Sequence, residues 1–202
     1  RALHELEAET EALPWADMGP HFRAALGEQF DDLDIETEAL AAASLAQVHR
    51  ARIKSTGHEV VLKAQYPELA EVLDDDFNAV VRMLRLARWI PASRDFDSWL
   101  TTLHEQLHAE IDYPREQAMA RTFANSLDHH PHLTETEVAL TVPQFWKDYC
   151  GPQVLTLDYV EGHRAGSPAV AALSQSTRNA LGRLMLQLFF IEVFDLGLVQ
   201  TD

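Results

Sequence analysis

The chain has 202 residues, 47% of them hydrophobic, which is enough to bury a core in one large domain or two small ones. Its net charge of −16 argues against a nucleic-acid partner and against docking on anionic lipid, because both require clustered Lys and Arg. The single Cys150 excludes an internal disulfide and suits a reducing compartment such as the cytoplasm. Charged residues interrupt the most apolar stretch, 184–199, so no transmembrane segment is predicted, and any membrane association would depend on regions outside this chain.

The pattern of apolar residues, prolines and glycines predicts helices packed around a small sheet, an α+β fold. Helices are predicted at residues 2–12, at about 19–29 after a break at Gly19-Pro20, from Pro67 to before Pro91, from about 100 to Pro114, and from about Ser176 onward. Strands are predicted at about 46–54, 58–65, 137–142 and 153–160, with a further candidate around 145–149. The helix from Ser176 is apolar nearly all round, so we expect it to be buried.

A run of small residues and a strand-ending lysine predict a phosphate site. The run is Ala41-Ala42-Ala43-Ser44-Leu45-Ala46-Gln47, and Lys63 closes the apolar strand 60–63. Phosphate oxygens must approach backbone N–H groups, so the loop that covers them cannot carry bulky side chains, and a fixed cation must lie beside the α and β phosphates. The pattern therefore predicts a nucleotide site of the protein-kinase type, with alanine where ordinary kinases use glycine. Alanine methyl groups restrict the backbone and predict an altered preference, for a diphosphate over a triphosphate.

Both parts of this site also allow a purely structural interpretation. Strand alternation places Lys63 on the face of Val61 and Gln65, where it could be an edge lysine with its stem packed on apolar surface. The alanine run could begin a helix, since Ala is the best helix former. The β-branched and alternating residues 47–53 favour a strand instead, and the carboxylates further along the chain favour the nucleotide interpretation.

These carboxylates lie in the segment Glu110-Ile111-Asp112-Tyr113-Pro114-Arg115-Glu116. Asp112 and Glu116 share a face on a regular helix, whereas Glu110 and Asp112 point away from each other. Pro114 tends to restart a helix, so Asp112 or Tyr113 could instead be an N-cap, with Pro114 and Glu116 as ordinary first-turn residues.

A rival motif lies in the preceding predicted helix. His104-Glu105-Gln106-Leu107-His108 satisfies H-E-x-x-H, which in zinc proteases places two imidazoles on one helix face with a general-base Glu between them. A third ligand could come from His129, His130, His132 or Glu135. A chain with 10 histidines can match this motif by chance, and Leu103 and Leu107 already give the helix a packing role. A zinc hydrolase is therefore a remote alternative.

Five blocks of the chain point together to one family. They are Ala-Ala-Ala-Ser-Leu-Ala-Gln-Val-His-Arg-Ala (41–51), Val-Val-Leu-Lys-Ala-Gln-Tyr-Pro (60–67), the carboxylate segment 110–116, Val-Leu-Thr-Leu-Asp-Tyr-Val-Glu-Gly (154–162) and Gln-Thr-Asp (200–202). In this order, over roughly residues 30–202, they closely resemble the UbiB family, the AarF/ADCK group of atypical protein-kinase-like proteins. The resemblance implies a kinase-like fold that binds ATP or ADP with Mg²⁺ and acts as an ATPase or atypical kinase supporting ubiquinone or related isoprenoid-lipid biosynthesis.

The resemblance also implies a role for each matching residue. Lys63 would hold the α and β phosphates, and Glu116, or Glu110 as the alternative, would lie within ion-pair reach of it. The backbone of the hinge residues Asp158, Tyr159 and Val160 would contact adenine. Glu110 and Asp112 would form the family's Glu-x-Asp motif, although Pro114 departs from the commoner pattern there. Asp202 would be the catalytic-loop acid.

By the same resemblance, residues 1–155 form an N-terminal lobe, 156–165 a hinge and 166–202 the start of a C-terminal lobe. The family's metal ligands would lie beyond Asp202, so no metal site is assigned within the chain. We therefore expect a fragment that is inactive in phosphoryl transfer by itself, with part of 181–194 exposed. The alternative function is a nucleotide-gated module that binds a lipid or a ubiquinone-pathway protein with little turnover.

Overall fold

The computed structural model describes residues 12–86, 94–128, 130–131, 133 and 138–198. Residues 2–11 of the first predicted helix, and Asp202, lie outside this part of the chain. Two compact units form, one from residues 1–117 and 144–159 and the other from 118–143 and 160–202. The chain last passes from the first unit to the second after Tyr159, inside the predicted hinge. The lobe boundaries themselves stay predictions.

An antiparallel sheet forms the centre of the first unit. Its strands are β1 (Leu33–Ile35), β2 (Ala41–Ala42), β3 (Ala46–Ile53), β4 (Glu59–Gln65) and β5 (Val154–Asp158). The strand order is β1-β3-β4-β5, and β2 pairs with β3. The strands predicted at 46–54, 58–65 and 153–160 are confirmed to within about two residues at each end. Gly57 in the β3–β4 turn has φ +77°, a left-handed conformation that glycine adopts without steric cost.

The helices in chain order are α1 (Trp15–Leu26), α2 (Leu69–Leu86), α3 (Arg94–Glu110), α4 (Tyr113–Asp128), α5 (Pro168–Ala171) and α6 (Gln175–Phe190). The prediction of a break at Gly19-Pro20 is wrong, because α1 passes through Pro20. Met18 and Phe22 of α1 are fully buried. Burying two such side chains stabilises the fold by about 3–6 kcal/mol, which offsets the roughly 3 kcal/mol cost of an internal proline.

Alternation along β4 decides which of its side chains are available to a site. Val60, Leu62 and Ala64 are fully buried in the core that they share with α1. The side chains of Val61, Lys63 and Gln65 therefore point to the opposite face of the sheet. This arrangement confirms the predicted alternation and places Lys63 away from the core.

The strand predicted at 137–142 is absent from its described part, residues 138–142. The candidate at 145–149 contributes only one bridge, between Phe145 and Leu157, before a 3₁₀ turn. Backbone bonds also hold this segment, from the Trp146 N–H to the Thr156 carbonyl at 2.9 Å and from the Asp158 N–H to the Gln144 carbonyl at 3.0 Å. The Asp158 carboxylate adds to them, since it accepts from the Gln144 N–H at 3.1 Å and from Trp146 Nε1 at 2.8 Å.

In the second unit, α6 is followed by a π-helical turn, Ile191–Leu196. The expectation that the whole helix is buried is wrong, and the expectation that part of 181–194 is exposed is confirmed. The exposed residues are Met185, Leu186, Phe189, Phe190 and Phe194. Ala180 and Leu184 are buried. Across the described ranges, no helix combines the length and apolarity needed to cross a membrane.

Candidate nucleotide site and a histidine cluster

The predicted phosphate loop is a tight β-hairpin of small residues. β2 pairs with β3 so that Ala41 lies opposite Val48 and Ala42 opposite Gln47. The Ala43 N–H donates to the Ala46 carbonyl at 2.8 Å, which closes the turn. Ala43 and Ser44 at the tip are exposed, and Leu45 is half-buried. The two residues at this tip are therefore accessible, as a phosphate-covering loop requires, although the Ala43 N–H and carbonyl are already bonded to Ala46 and to the Tyr66 hydroxyl.

The side chains of the last two residues of the predicted loop lie in the core. Ala46 is buried, and Gln47 is fully buried. Gln47 Oε1 accepts from the Leu13 N–H at 2.8 Å, and its Nε2 donates to the Leu13 carbonyl at 3.1 Å. The side chain of Gln47 thus secures the segment before α1, so only its backbone can take part in the hairpin.

Lys63 and Glu116 form the predicted ion pair. Lys63 Nζ lies 3.0 Å from each carboxylate oxygen of Glu116. The two side chains are 36% and 40% exposed, so solvent and ligands can reach the pair. The ammonium also lies 5.0 Å from the ring centroid of Tyr113, a cation–π distance. Burial, and then the charge of Glu116, raise the pKa of Tyr113, which keeps this ring neutral.

The junction of α3 and α4 sets the position of Glu116. Asp112 is the N-cap of α4, since its Oδ1 accepts from the Arg115 N–H at 3.0 Å. Pro114 follows in the first turn, where its missing N–H has no helical partner to lose. Gln65 Nε2 donates to the Ile111 carbonyl and so ties this junction to β4. The N-cap interpretation is therefore confirmed for Asp112, whereas Glu116 is not an ordinary first-turn residue, because it pairs with Lys63.

Sequence reasoning missed the positioning role of Gln65 because its partner is a backbone carbonyl 46 residues away. Glu110 ends α3. Its place in a Glu-x-Asp motif with Asp112 stays a prediction.

At the predicted hinge, the described contacts hold the backbone in place. The Tyr159 N–H donates to the Glu59 carbonyl at 3.1 Å, and the Arg50 guanidinium lies 4.2 Å from the Tyr159 ring centroid. Asp158 uses its carboxylate in the bonds to Gln144 and Trp146 described above. Val160 is exposed. Contact of residues 158–160 with adenine stays a prediction.

The H-E-x-x-H histidines have a partner that the sequence did not predict. His104 Nε2 lies 2.7 Å and His108 Nε2 2.8 Å from the same oxygen, Asp74 Oδ1. Hydrogen bonds from His108 and His104 lower the pKa of Asp74, so the carboxylate is ionised at neutral pH. His130, one of the predicted third ligands, instead lies 3.1 Å from Asp195 Oδ2. The other predicted third ligands, His129, His132 and Glu135, lie outside the described residues.

Comparisons with known proteins agree with the fold. Residues 5–202 match the ABC1 atypical kinase-like domain. The chain is 33% identical over 169 residues to the atypical kinase COQ8, mitochondrial, of Schizosaccharomyces pombe, covering 84% of this chain and 26% of that protein. It is 32% identical over 173 residues to the probable protein kinase UbiB of Cronobacter sakazakii, covering 83% and 30% of the two chains.

A solved structure is also similar. The complex of Rv3197 with erythromycin from Mycobacterium tuberculosis matches with a TM-score of 0.70 and 27% identity, over 94% of this chain and 45% of that one. These matches confirm the predicted α+β, kinase-like fold. The chain spans less than a third of the COQ8 and UbiB relatives and less than half of this structure.

Proposed function

Since the chain belongs to the ABC1 atypical kinase-like family, we propose that it binds an adenine nucleotide, ATP or ADP, through Lys63 and the hairpin of residues 41–47. The observation that carries this proposal is the ion pair of Lys63 with Glu116. A lysine fixed by a carboxylate on the exposed face of a strand is what kinase-like folds use to hold the α and β phosphates. Lys63 is then a functional cation rather than an edge lysine that only covers apolar surface.

The hydrogen-bond donors of Lys63 support its proposed role in phosphate binding. An ammonium has three N–H donors, and Glu116 accepts from Lys63 at two distances of 3.0 Å. A phosphate oxygen can take the remaining donor without breaking the pair. Because the chain has a net charge of −16, nucleotide binding needs such a local cation.

Mg²⁺ is included in the proposal only because of the family to which the chain belongs. A bound Mg²⁺ would neutralise part of the phosphate charge. Lys63 offsets one negative charge, so a multiply charged nucleotide fits this site better with a metal than without one. The position that resembles the catalytic acid, Asp202, lies outside the described residues.

For the whole protein, we extend the proposal to ATPase or atypical kinase activity that supports ubiquinone or related isoprenoid-lipid biosynthesis. Support comes from the resemblance of the five motif blocks and from the names of the COQ8 and UbiB relatives. The same binding residues would serve a nucleotide-gated module that binds a lipid or a protein partner. Steady-state ATP hydrolysis by the intact protein separates these two functions, since a gated module binds nucleotide without comparable turnover.

Calorimetric titration of ATP and ADP into the chain tests nucleotide binding. Lys63→Ala removes a charge-assisted contact worth about 1.5–3 kcal/mol, so we expect affinity to fall by about 10- to 100-fold. Lys54→Ala is the matched control, because it also removes a lysine but at a different position. Lys54 lies in the exposed β3–β4 turn, and its Nζ donates to the carbonyl of Asp31. Equal affinity of the Lys63→Ala variant and the wild-type chain would contradict the assignment of Lys63, as would equal losses in both variants.

A further inference from the structure

We propose that Asp74, His104 and His108 bind a divalent transition-metal ion, with zinc the best fit, and that this ion connects α2 to α3. Two helices supply the three side chains: Asp74 lies in α2, and both histidines lie in α3. Their ligand atoms all lie within 4.8 Å of one another. No other such group of three forms among the residues that the structure describes.

Helix geometry explains why the two imidazoles converge. Residues four apart lie on the same helix face, so His104 and His108 present their rings together, with centroids 4.5 Å apart. Phe77 of α2 packs against the His104 ring at 4.8 Å and restricts its orientation. Asp74 lies nearly one turn before Phe77 on the same helix and places one oxygen against both Nε2 atoms. The cluster is thus assembled by packing between the helices as well as by its own hydrogen bonds.

The donor set is one that zinc uses in proteins. Two imidazole nitrogens and one carboxylate oxygen form a three-ligand set, which leaves a fourth tetrahedral position for water. Ligand atoms around tetrahedral zinc lie about 3.3 Å apart, given bond lengths of about 2.0–2.1 Å. The present Nε2–Oδ1 distances of 2.7 and 2.8 Å are hydrogen-bond distances, so the carboxylate would withdraw by about half an ångström as the ion enters.

Accessibility and packing agree with this role. The histidine side chains are each 36% exposed and that of Asp74 is 44% exposed, so an ion can enter without opening a buried core. None of the described side chains of α2 is buried, and Val72, Val80 and Met83 are exposed. Apolar burial therefore contributes little to holding α2, and a metal ion would supply a fixed connection to α3.

The proposal is for metal binding alone, and it is independent of nucleotide binding. The third ligand, Asp74, comes from α2 rather than from the helix that carries the H-E-x-x-H motif. We assign no hydrolysis to this cluster. Lys63 and Glu116 take no part in it.

Zinc binding to the 202-residue chain can be measured by equilibrium dialysis with elemental analysis and by Co²⁺ absorption spectroscopy. We expect about one equivalent of bound zinc and an intense visible Co²⁺ spectrum typical of a tetrahedral site. Each of Asp74→Asn, His104→Gln and His108→Gln should weaken zinc affinity by about tenfold or more, since each removes one of three ligands. Circular dichroism of each variant without metal checks that its helices are retained.

Two control variants distinguish binding at this cluster from zinc attraction to the acidic surface in general. Glu105→Gln removes a nearby negative charge but no proposed ligand, and His163→Gln removes an exposed imidazole that is not part of the cluster, so both should bind zinc like the wild-type chain. The proposal is overturned if the wild-type chain binds no zinc, or if the three ligand variants bind it as tightly as the controls do. Loss of zinc in Glu105→Gln equal to that in Asp74→Asn would indicate general acidic attraction and would also overturn it.

Discussion

Replacing Gln47 with leucine tests how the small-residue hairpin is held to the core. Gln47 is fully buried and makes hydrogen bonds to both backbone groups of Leu13 and to the His49 ring. The Glu36 carbonyl can only accept, so His49 Nδ1 donates to it at 2.7 Å. His49 Nε2 is then the acceptor for Gln47 Nε2, at 2.9 Å. One amide therefore satisfies three polar groups at once.

The expected cost follows from these contacts. Each bond to Leu13 contributes about 1 kcal/mol, and leaving the buried His49 Nε2 without a partner costs about 1–3 kcal/mol. Leucine has nearly the volume of glutamine, so the cavity contribution is small. We expect Gln47→Leu to lower the free energy of unfolding by about 3–5 kcal/mol, a large part of the roughly 5–15 kcal/mol of a typical domain.

Urea unfolding followed by tryptophan fluorescence measures this loss, because Trp15 packs against His49 with ring centroids 5.5 Å apart. Gln153→Leu is the control: Gln153 is exposed and should change the free energy of unfolding by less than about 0.5 kcal/mol. If Gln47→Leu costs no more than this control, the hydrogen-bond network does not secure the hairpin and the reasoning is refuted.

Three further outcomes follow from the site and its surroundings. Lys63→Ala should lower the free energy of unfolding by less than about 1 kcal/mol, because the ion pair with Glu116 is more than a third exposed. A larger loss, measured by urea unfolding, would show that the ion pair has a structural role. Burial lowers the pKa of His49, so the unfolded chain protonates this imidazole more readily than the folded chain does, and the free energy of unfolding should fall as the pH drops below about 6.5. His49→Gln should make the free energy of unfolding less dependent on pH in this range. A steeper pH dependence in the variant would contradict this prediction. Ala43→Gly at the hairpin tip should shift the ratio of ADP to ATP affinity. If Ala41→Gly, Ala42→Gly and Ala43→Gly all leave this ratio unchanged, the alanine methyl groups do not set the nucleotide preference.

Local patterns predicted much of the first unit. Alternation along β4 placed Lys63 opposite the core, and the resemblance to the UbiB family implied Glu116 as its partner, which the 3.0 Å contacts bear out. Asp112 carried a helix-start signal of its own, and its N-cap bond to Arg115 confirms the alternative offered for it. The strand alternation and the N-cap depend on residues a few positions apart, where backbone geometry dictates which side chains share a face.

What the sequence did not reveal depends on contacts between distant residues. Asp74 reaches histidines 30 and 34 positions away, and no spacing rule connects them. Pro20 lies inside α1 because burial of its neighbours outweighs the local penalty. The predicted strand at 137–142 failed in its described part because alternating apolar residues do not by themselves supply a partner strand.

Chemical labelling of the lysines tests the central claim, nucleotide binding at Lys63, most directly. An acyl-phosphate derivative of ATP transfers its acyl group to an amine beside the bound phosphates, and peptide mass spectrometry identifies which of Lys54, Lys63 and Lys147 reacts. We predict acylation at Lys63, blocked by excess ATP or ADP, with labelling of the other two lysines unaffected by nucleotide. Equal labelling of all three lysines that excess nucleotide does not reduce would contradict the account.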